Sequence, residues 1–267
     1  MLGLRMLYVC ALLAIVAGLV LLERLSPARR EPTQHQLNLM VWATYAPLQF
    51  AGLPAIGAAI AASAARAGLP SLHVSTWPFA VGAATFLLVH DFGEYVFHRA
   101  QHALPWLWRM HSLHHSDPCM SVTTTVRHYW ADGILKAITI WPAATLLCEP
   151  SNGQLLFFSF AYLYNFFIHS NLKMYFGRLS WILNSPAYHR LHHSRALQDQ
   201  GVNMAPLFPI WDVLFGTYRR PSQAAPETGD ERQLRRCIET IVWPILPELR
   251  AARVATQDAL RDGQGAA

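Results

Sequence analysis

The chain has 267 residues, of which 53% are hydrophobic and only 14% charged, well below the roughly 25% charged content of soluble globular domains. Its 21 Lys and Arg outnumber 16 Asp and Glu, but the basic residues flank apolar segments instead of interleaving with aromatics, which argues against a nucleic-acid surface. Four scattered cysteines, Cys10, Cys119, Cys148 and Cys237, form no C-x-x-C pair, which excludes a disulfide framework, a zinc ribbon and a cysteine-ligated cluster.

In chain order, Met6 to Leu22 is a charge-free apolar run followed by Arg24, Arg29 and Arg30. A signal peptide carries its positive charge ahead of the run and a small-residue cleavage site behind it. The pattern here is that of a first membrane helix whose C-terminal end lies in the cytoplasm. Leu39 to Ala65 contains no acidic or basic residue and is long enough to cross a hydrocarbon core of about 30 Å, with Pro47 and Pro54 bending it. A third span runs from about Trp77 to His90, its helical pattern continuing through Asp91 to Gln101. Ile134 to Cys148 and Gln154 to Ser170 flank the turn Glu149-Pro150-Ser151-Asn152-Gly153 and form a helical hairpin. From Arg219 onward the chain is polar and Pro-rich, with one mixed apolar stretch, Ile238 to Leu249, expected to lie in a cytoplasmic tail or on the membrane surface.

Thirteen histidines are present, and nine fall into a pattern. His98 and His102 stand at i, i+4, on one helix face. His111, His114 and His115 stand at i, i+3, i+4, and His189, His192 and His193 repeat that spacing; His169 stands alone at the end of the fifth apolar segment. At this histidine frequency H-x-x-H-H arises by chance about once in 10⁴ positions, so two copies in one chain are a strong signal. Neutral imidazole ligates iron, zinc and copper, and eight or nine of them exceed what one ion can hold, so two metals are implied. Isolated histidines such as His35, His73 and His90 are expected to be surface or satisfied core residues. With the N-terminus outside, spans one, three and five end in the cytoplasm, and every histidine cluster falls on that face.

These boxes, with Asp91-Phe92-Gly93-Glu94-Tyr95 before the first, Pro105-Trp106-Leu107-Trp108-Arg109 before the second, Phe167-Ile168-His169-Ser170-Asn171, Gly201-Val202-Asn203 and Trp211-Asp212-Val213-Leu214-Phe215-Gly216-Thr217-Tyr218, resemble the fatty acid hydroxylase and sterol desaturase superfamily. The resemblance covers Asp91 to Tyr218, about half the chain. It implies a non-haem di-iron centre that activates O₂ against a C–H bond of a lipid, held by a bundle of membrane helices with a cytoplasmic histidine-bearing layer. Lipid 2-hydroxylases of the superfamily carry a further histidine where this chain has Asn165, one turn before His169. Asn165 is therefore expected to hold a metal-bound water, and His128 in Arg127-His128 resembles a recurrent element that ligates or supports the metal.

The expected fold is all-α: a polytopic membrane helical bundle with a cytoplasmic histidine-rich di-metal cap. Residues 1–75 supply N-terminal membrane helices, 76–218 the catalytic region and 219–267 the tail. Two iron ions are the expected cofactor, with zinc fitting the same ligands in recombinant protein but unable to change oxidation state. Glu94, one turn before His98 on the same face, and Asp91, one turn before Glu94, are expected to orient the first box as carboxylate partners. Arg99, Arg109, Arg127 and Arg190 are expected to face headgroups or acidic partners. No G-x-G-x-x-G fingerprint or cysteine cluster supplies electrons, so a separate ferredoxin, rubredoxin or cytochrome-type donor with its reductase is implied, and the expected setting is multi-pass in a bacterial inner membrane. Two alternatives stand beside lipid oxidation. A zinc-dependent membrane enzyme lacks its usual H-E-x-x-H or G-x-S-x-G here, and a metal transporter would place histidines at mid-membrane between repeats that this sequence does not contain.

Overall fold

Each of the five apolar segments folds as a helix in the computed structural model of the chain, which describes residues 2–199, 201–221, 225–230, 234 and 236–245. The first, α1, covers Leu2–Leu25 without interruption. The second is α2 (His35–Pro47) and α3 (Leu53–Arg66), joined through a π turn at Leu48–Gly52. Pro47 lacks the N–H that an α-helical ladder needs and crowds the preceding turn, and the wider π turn accommodates it. Pro54 falls in the first turn of α3, where a missing N–H has no consequence.

Helix α4 (Phe79–Ala103) carries the third segment and the first histidine box, and α5 (Pro105–His115) carries the second. The predicted hairpin appears as four pieces, α6 (Trp130–Ile138), α7 (Ile140–Cys148), α8 (Asn152–Tyr162) and α9 (Tyr164–Ile168). Its turn is set by Glu149 in the left-handed region and by a capping box in which Ser151 and Gln154 satisfy each other's backbone N–H. The short helices α10 (Pro186–His192), α11 (Ile210–Leu214) and α12 (Glu239–Val242) complete the described elements. Among the described residues there is no strand, only isolated bridges at Pro27 with Leu172 and Ser194 with Thr228.

The long elements alternate between two ends. At one end, Glu23 near the close of α1 accepts the backbone N–H groups of Val122 and Asn171 at 2.7 and 2.6 Å, and Asn38 of α2 donates to Asp117 at 2.8 Å. That end holds every histidine box. At the other, Leu72 N–H donates to the Leu147 carbonyl and Gln154 to the Val74 carbonyl, tying the exit of α3 and the entry of α4 to the α7–α8 turn. Gly82 is required there, because a Cβ would lie 2.5 Å from the Val74 oxygen.

Three stretches, Met6–Leu25, His35–Ser63 and Trp130–Cys148, are helical, long and apolar enough to cross a bilayer. The other two predicted spans do not meet that measure. Helix α4 carries Asp91, Glu94 and Arg99, and the α8–α9 pair is short and broken at Leu163. Exposed Met6, Leu7, Leu13 and Leu22 on α1 suit a lipid environment.

One sequence expectation is corrected here. Arg127 and Arg190 are not the surface cations expected; both are buried, at 0% and 1% exposure. Arg127 donates to the Leu113 and Ser116 carbonyls at the end of α5 and to Gln34 and Asn38 of the α2 entry, so one guanidinium satisfies helix-end carbonyls and pins two elements together. The stretch from Ile238 exposes Ile238, Ile241 and Ile245 while Trp243 is anchored inward. Its described part forms α12 and a tight turn at Trp243–Ile245, with Trp243 fully buried against Val41, Leu113 and Leu234 and donating to Ser112 at 3.0 Å; residues 246–249 lie outside the described residues.

A half-buried ion pair joins three helices: Lys136 of α6 donates to Glu94 of α4 at 2.6 Å, and the Tyr162 hydroxyl of α8 donates to the other oxygen at 3.1 Å. Removing Lys136 strands the buried Glu94 carboxylate, with an expected loss of about 3 kcal/mol, whereas removing Glu94 leaves Lys136 26% exposed and open to hydration. Thermal unfolding in detergent should therefore show Lys136→Met more destabilised than Glu94→Gln and the double variant at least as stable as the worse single one. Losses that simply add would show that the pair is not coupled.

Candidate metal centre

The elbow between α4 and α5 brings the first two boxes together. A proline disfavours helical backbone in the residue before it and suits the first position of a helix. Leu104 is accordingly extended, at φ −95° and ψ 122°, and α5 starts at Pro105. The third box starts in the same manner, with Ser185 capping the Tyr188 N–H and Pro186 opening α10. His169 sits at the end of α9.

The nine predicted histidines converge as two groups. His98, His102, His111, His115 and His192 form one, and His114, His169, His189 and His193 the other; within each, one nitrogen per ring lies within 4.8 Å of all the others. Helical geometry explains the division. On their shared face, i+4 is rotated about 40° to one side of i and i+3 about 60° to the other, so i+3 and i+4 diverge by about 100°. His111 and His115 thus serve the first group while His114 turns to the second. In the third box the roles exchange, His189 and His193 serving the second group and His192 the first. The groups abut where His115 stacks on His193, with ring centres 4.3 Å apart.

The donor atoms fit cations. Nε2 of His98 is 3.0 Å from Nε2 of His111, and Nε2 of His169 is 3.1 Å and 2.9 Å from those of His114 and His189. Ligands about 2.0–2.1 Å from a shared transition-metal ion stand at about this mutual spacing. His115 Nε2 and His192 Nε2 are buried without a hydrogen-bond partner, a state that a bound cation would resolve. Burial pushes His111, His114, His115, His189 and His193 well below the usual imidazole pKa, and neighbouring rings push them further. Burial also takes His192 down to about 4. Neutral rings keep the lone pair that a metal needs.

Three rings are oriented by main-chain carbonyls. Nδ1 of His98 donates to Met204 O at 2.7 Å, His169 to Asn165 O at 2.7 Å, and His192 to Val202 O at 2.8 Å. A carbonyl can only accept, so each Nδ1 carries the proton and Nε2 is left to bind.

The carboxylates expected to do this act elsewhere. Glu94 is committed to Lys136 and Tyr162. Asp91 accepts from the Leu207 and Phe208 N–H groups and from Trp211 Nε1. Asp212, not singled out by spacing, accepts from Met204 and Ala205 N–H, Tyr188 and Thr217. Asp91 and Asp212 therefore clamp the 202–208 loop whose carbonyls aim the rings.

Asn165 is also placed differently from its expected role: its amide donates to the Tyr162 carbonyl at 3.0 Å, and its main-chain oxygen is what meets His169. His128 stacks on His114 at 4.4 Å with Nδ1 3.6 Å from Asp132, and is grouped with His111 and Asp132 instead of joining either main set. His90 is not a satisfied core residue. It is buried between Trp141 and Phe158 with no hydrogen bond at either nitrogen.

A family model described as fatty acid hydroxylase matches residues 83–217. The chain is 39% identical over 134 residues to alkylglycerol monooxygenase of Xenopus tropicalis, covering 50% of this chain and 29% of that protein. It is 29% identical over 218 residues to ornithine lipid hydroxylase OlsE of Rhizobium tropici, covering 78% and 66%, and 28% identical over 175 residues to very-long-chain aldehyde decarbonylase GL1-6 of Oryza sativa subsp. indica, covering 58% and 26%. The chain thus spans less than a third of the first and the last of these relatives and about two thirds of the second. No solved structure matches.

The grouping predicts how metal is lost. His114→Ala and His169→Ala should each empty the four-histidine group and halve the metal content, while His192→Ala should act on the five-histidine group. Asn165→Ala keeps the carbonyl that orients His169 and should keep its metal. Elemental analysis of the purified variants decides it, and full metal content in His114→Ala would refute the grouping.

Proposed function

The chain belongs to the fatty acid hydroxylase family, and from that premise we propose that it is a membrane-bound non-haem di-iron oxygenase, which uses O₂ and externally supplied electrons to hydroxylate or desaturate a lipid. The observation that carries this reading is the pair of adjoining histidine groups, buried at one end of a bundle that has three helices fit to cross a bilayer. The relatives include a monooxygenase and a hydroxylase named for lipid substrates. Iron, when bound, supplies the redox steps of O₂ activation, which no side chain here can perform.

The chain's own residues hold and shield. His98, His102, His111, His115 and His192 offer one set of nitrogens, and His114, His169, His189 and His193 the other. Buried rings exclude water, and the carbonyls of Val202, Met204 and Asn165 keep Nε2 aimed inward. A lipid dissolved in the bilayer approaches from the helix side. A narrow cavity lined by Leu87, His90, Phe158, Tyr162 and Asn165, one turn from His169, marks the seam between α4 and the α8–α9 pair that we assign to that approach. The basic flank Arg24, Arg29 and Arg30 after α1 supports a cytoplasmic histidine layer in a five-span topology, as in a bacterial inner membrane. Electrons then come from a separate ferredoxin, rubredoxin or cytochrome-type donor and its reductase, for which a chain of net charge +5 offers a complementary face to an acidic carrier.

Incubation of the iron-loaded chain with bacterial lipids, a reductase system and ¹⁸O₂ tests the reading. Hydroxylation should place one labelled oxygen in a lipid, and desaturation should remove two hydrogens without label; either must need both O₂ and reductant. Turnover of the zinc-loaded protein, or turnover without O₂, would favour non-oxidative metal chemistry.

A further inference from the structure

A cavity of about 230 Å³ lies apart from the seam described above and is lined by Arg190, Lys173 and Tyr175 with Ala28, Leu172 and Ala187. Arg190 belongs to α10 but is not one of its metal-facing residues, because it follows His189 by one position and is rotated about 100° away from it. Its side chain is only 1% exposed. Nη2 donates to the Met120 carbonyl and the Asn171 side chain at 3.0 and 2.8 Å, whereas Nε and Nη1 are buried with no hydrogen-bond partner. Neither Arg190 nor Lys173 forms an ion pair among the described residues.

A buried guanidinium with two unused nitrogens needs an explanation. The nearby acids Glu23 and Glu31 act on it by charge, but no acid among the described residues bonds to either nitrogen. Glu31 and Glu227 are both engaged by Arg29. Glu23 receives the Val122 and Asn171 N–H groups on one oxygen; its other oxygen is buried without a hydrogen bond, so its charge acts on Arg190 without bonding to it. At the rim, Arg220 Nε donates to the Tyr175 hydroxyl at 3.0 Å, which leaves the tyrosine proton to donate onward. Guanidinium, ammonium and hydroxyl donors thus meet around one cavity. That donor set suits a phosphate group, whose several oxygens accept charge-assisted hydrogen bonds from arginine and lysine.

The location indicates the source. Ala28 follows the end of the apolar α1, and Leu172 and Lys173 follow α9. Both helices end at the histidine face, which is the level of lipid headgroups if α1 crosses the bilayer. The volume is below that of a whole-lipid pocket and admits a headgroup fragment. We propose that this cavity is a phosphate site, in which Arg190, Lys173 and Tyr175 bind the phosphate of a lipid headgroup at the histidine end of α1 and α9. The site does not rest on the oxygenase reading and stands or falls separately.

The test uses the full, metal-loaded chain in detergent, titrated with phosphatidylglycerol, with diacylglycerol of the same acyl chains, and with inorganic phosphate, while the thermal midpoint is followed. Phosphatidylglycerol should raise the midpoint saturably and diacylglycerol should not. Lys173→Gln and Arg190→Lys should weaken the apparent affinity about tenfold, the effect of one charge-assisted bond, and Lys173→Gln should keep its metal. A full shift with inorganic phosphate alone, sensitive to the same variants, would support the site with free phosphate as its source. Should Arg190→Lys fail to fold, Lys173→Gln and Tyr175→Phe decide. No phosphate-dependent shift, or unchanged affinity in the variants that fold, overturns the proposal.

Discussion

Nine imidazoles crowded into one buried layer impose the constraint on which the rest of the structure depends. Nitrogen lone pairs that face one another across about 3 Å cannot all be satisfied by protons, because burial and mutual repulsion hold the rings neutral. A cation between them would satisfy these lone pairs. The chain places the imidazole layer at one end of its long helices, where loops close over the rings.

Holding that layer requires fixed ring orientations, and the fold supplies them by a division of labour between backbone and carboxylate. Carbonyls of Val202, Met204 and Asn165 meet the rings directly, each fixing one tautomer. Carboxylates act one step back. Asp91, from α4, and Asp212, from α11, hold the 202–208 loop by its N–H groups, and Arg127 ties the end of α5 to α2. An acid placed directly on a ring would strengthen that one ligand but would add negative charge beside the metals. Neutral carbonyls set direction without it.

The histidine pattern was legible in the sequence because helical spacing is local: i, i+3 and i+4 put rings on a shared face whatever the rest of the fold does. Which ring serves which group was not legible, since it depends on how α5 and α10 meet. Glu94 shows the same limit. One turn before His98 it shares the right face, yet Lys136, from a helix more than forty residues later, takes its carboxylate. Asn165 was singled out for its amide, while its main-chain oxygen does the orienting, and a backbone atom leaves no residue-type signature. Arg127 and Arg190 look like surface cations by composition, and only tertiary contacts show them buried. The five apolar segments were found, but the breaks at Thr139 and Leu163 were not, because neither residue is a helix breaker by type.

We propose that the chain holds two metal ions side by side, one in each histidine group. X-ray diffraction at the iron absorption edge, from crystals of protein produced with iron, measures this directly. Two anomalous peaks are predicted, one among His98, His102, His111, His115 and His192 and one among His114, His169, His189 and His193. A single peak shared by the two groups, or iron bound away from both, would contradict it.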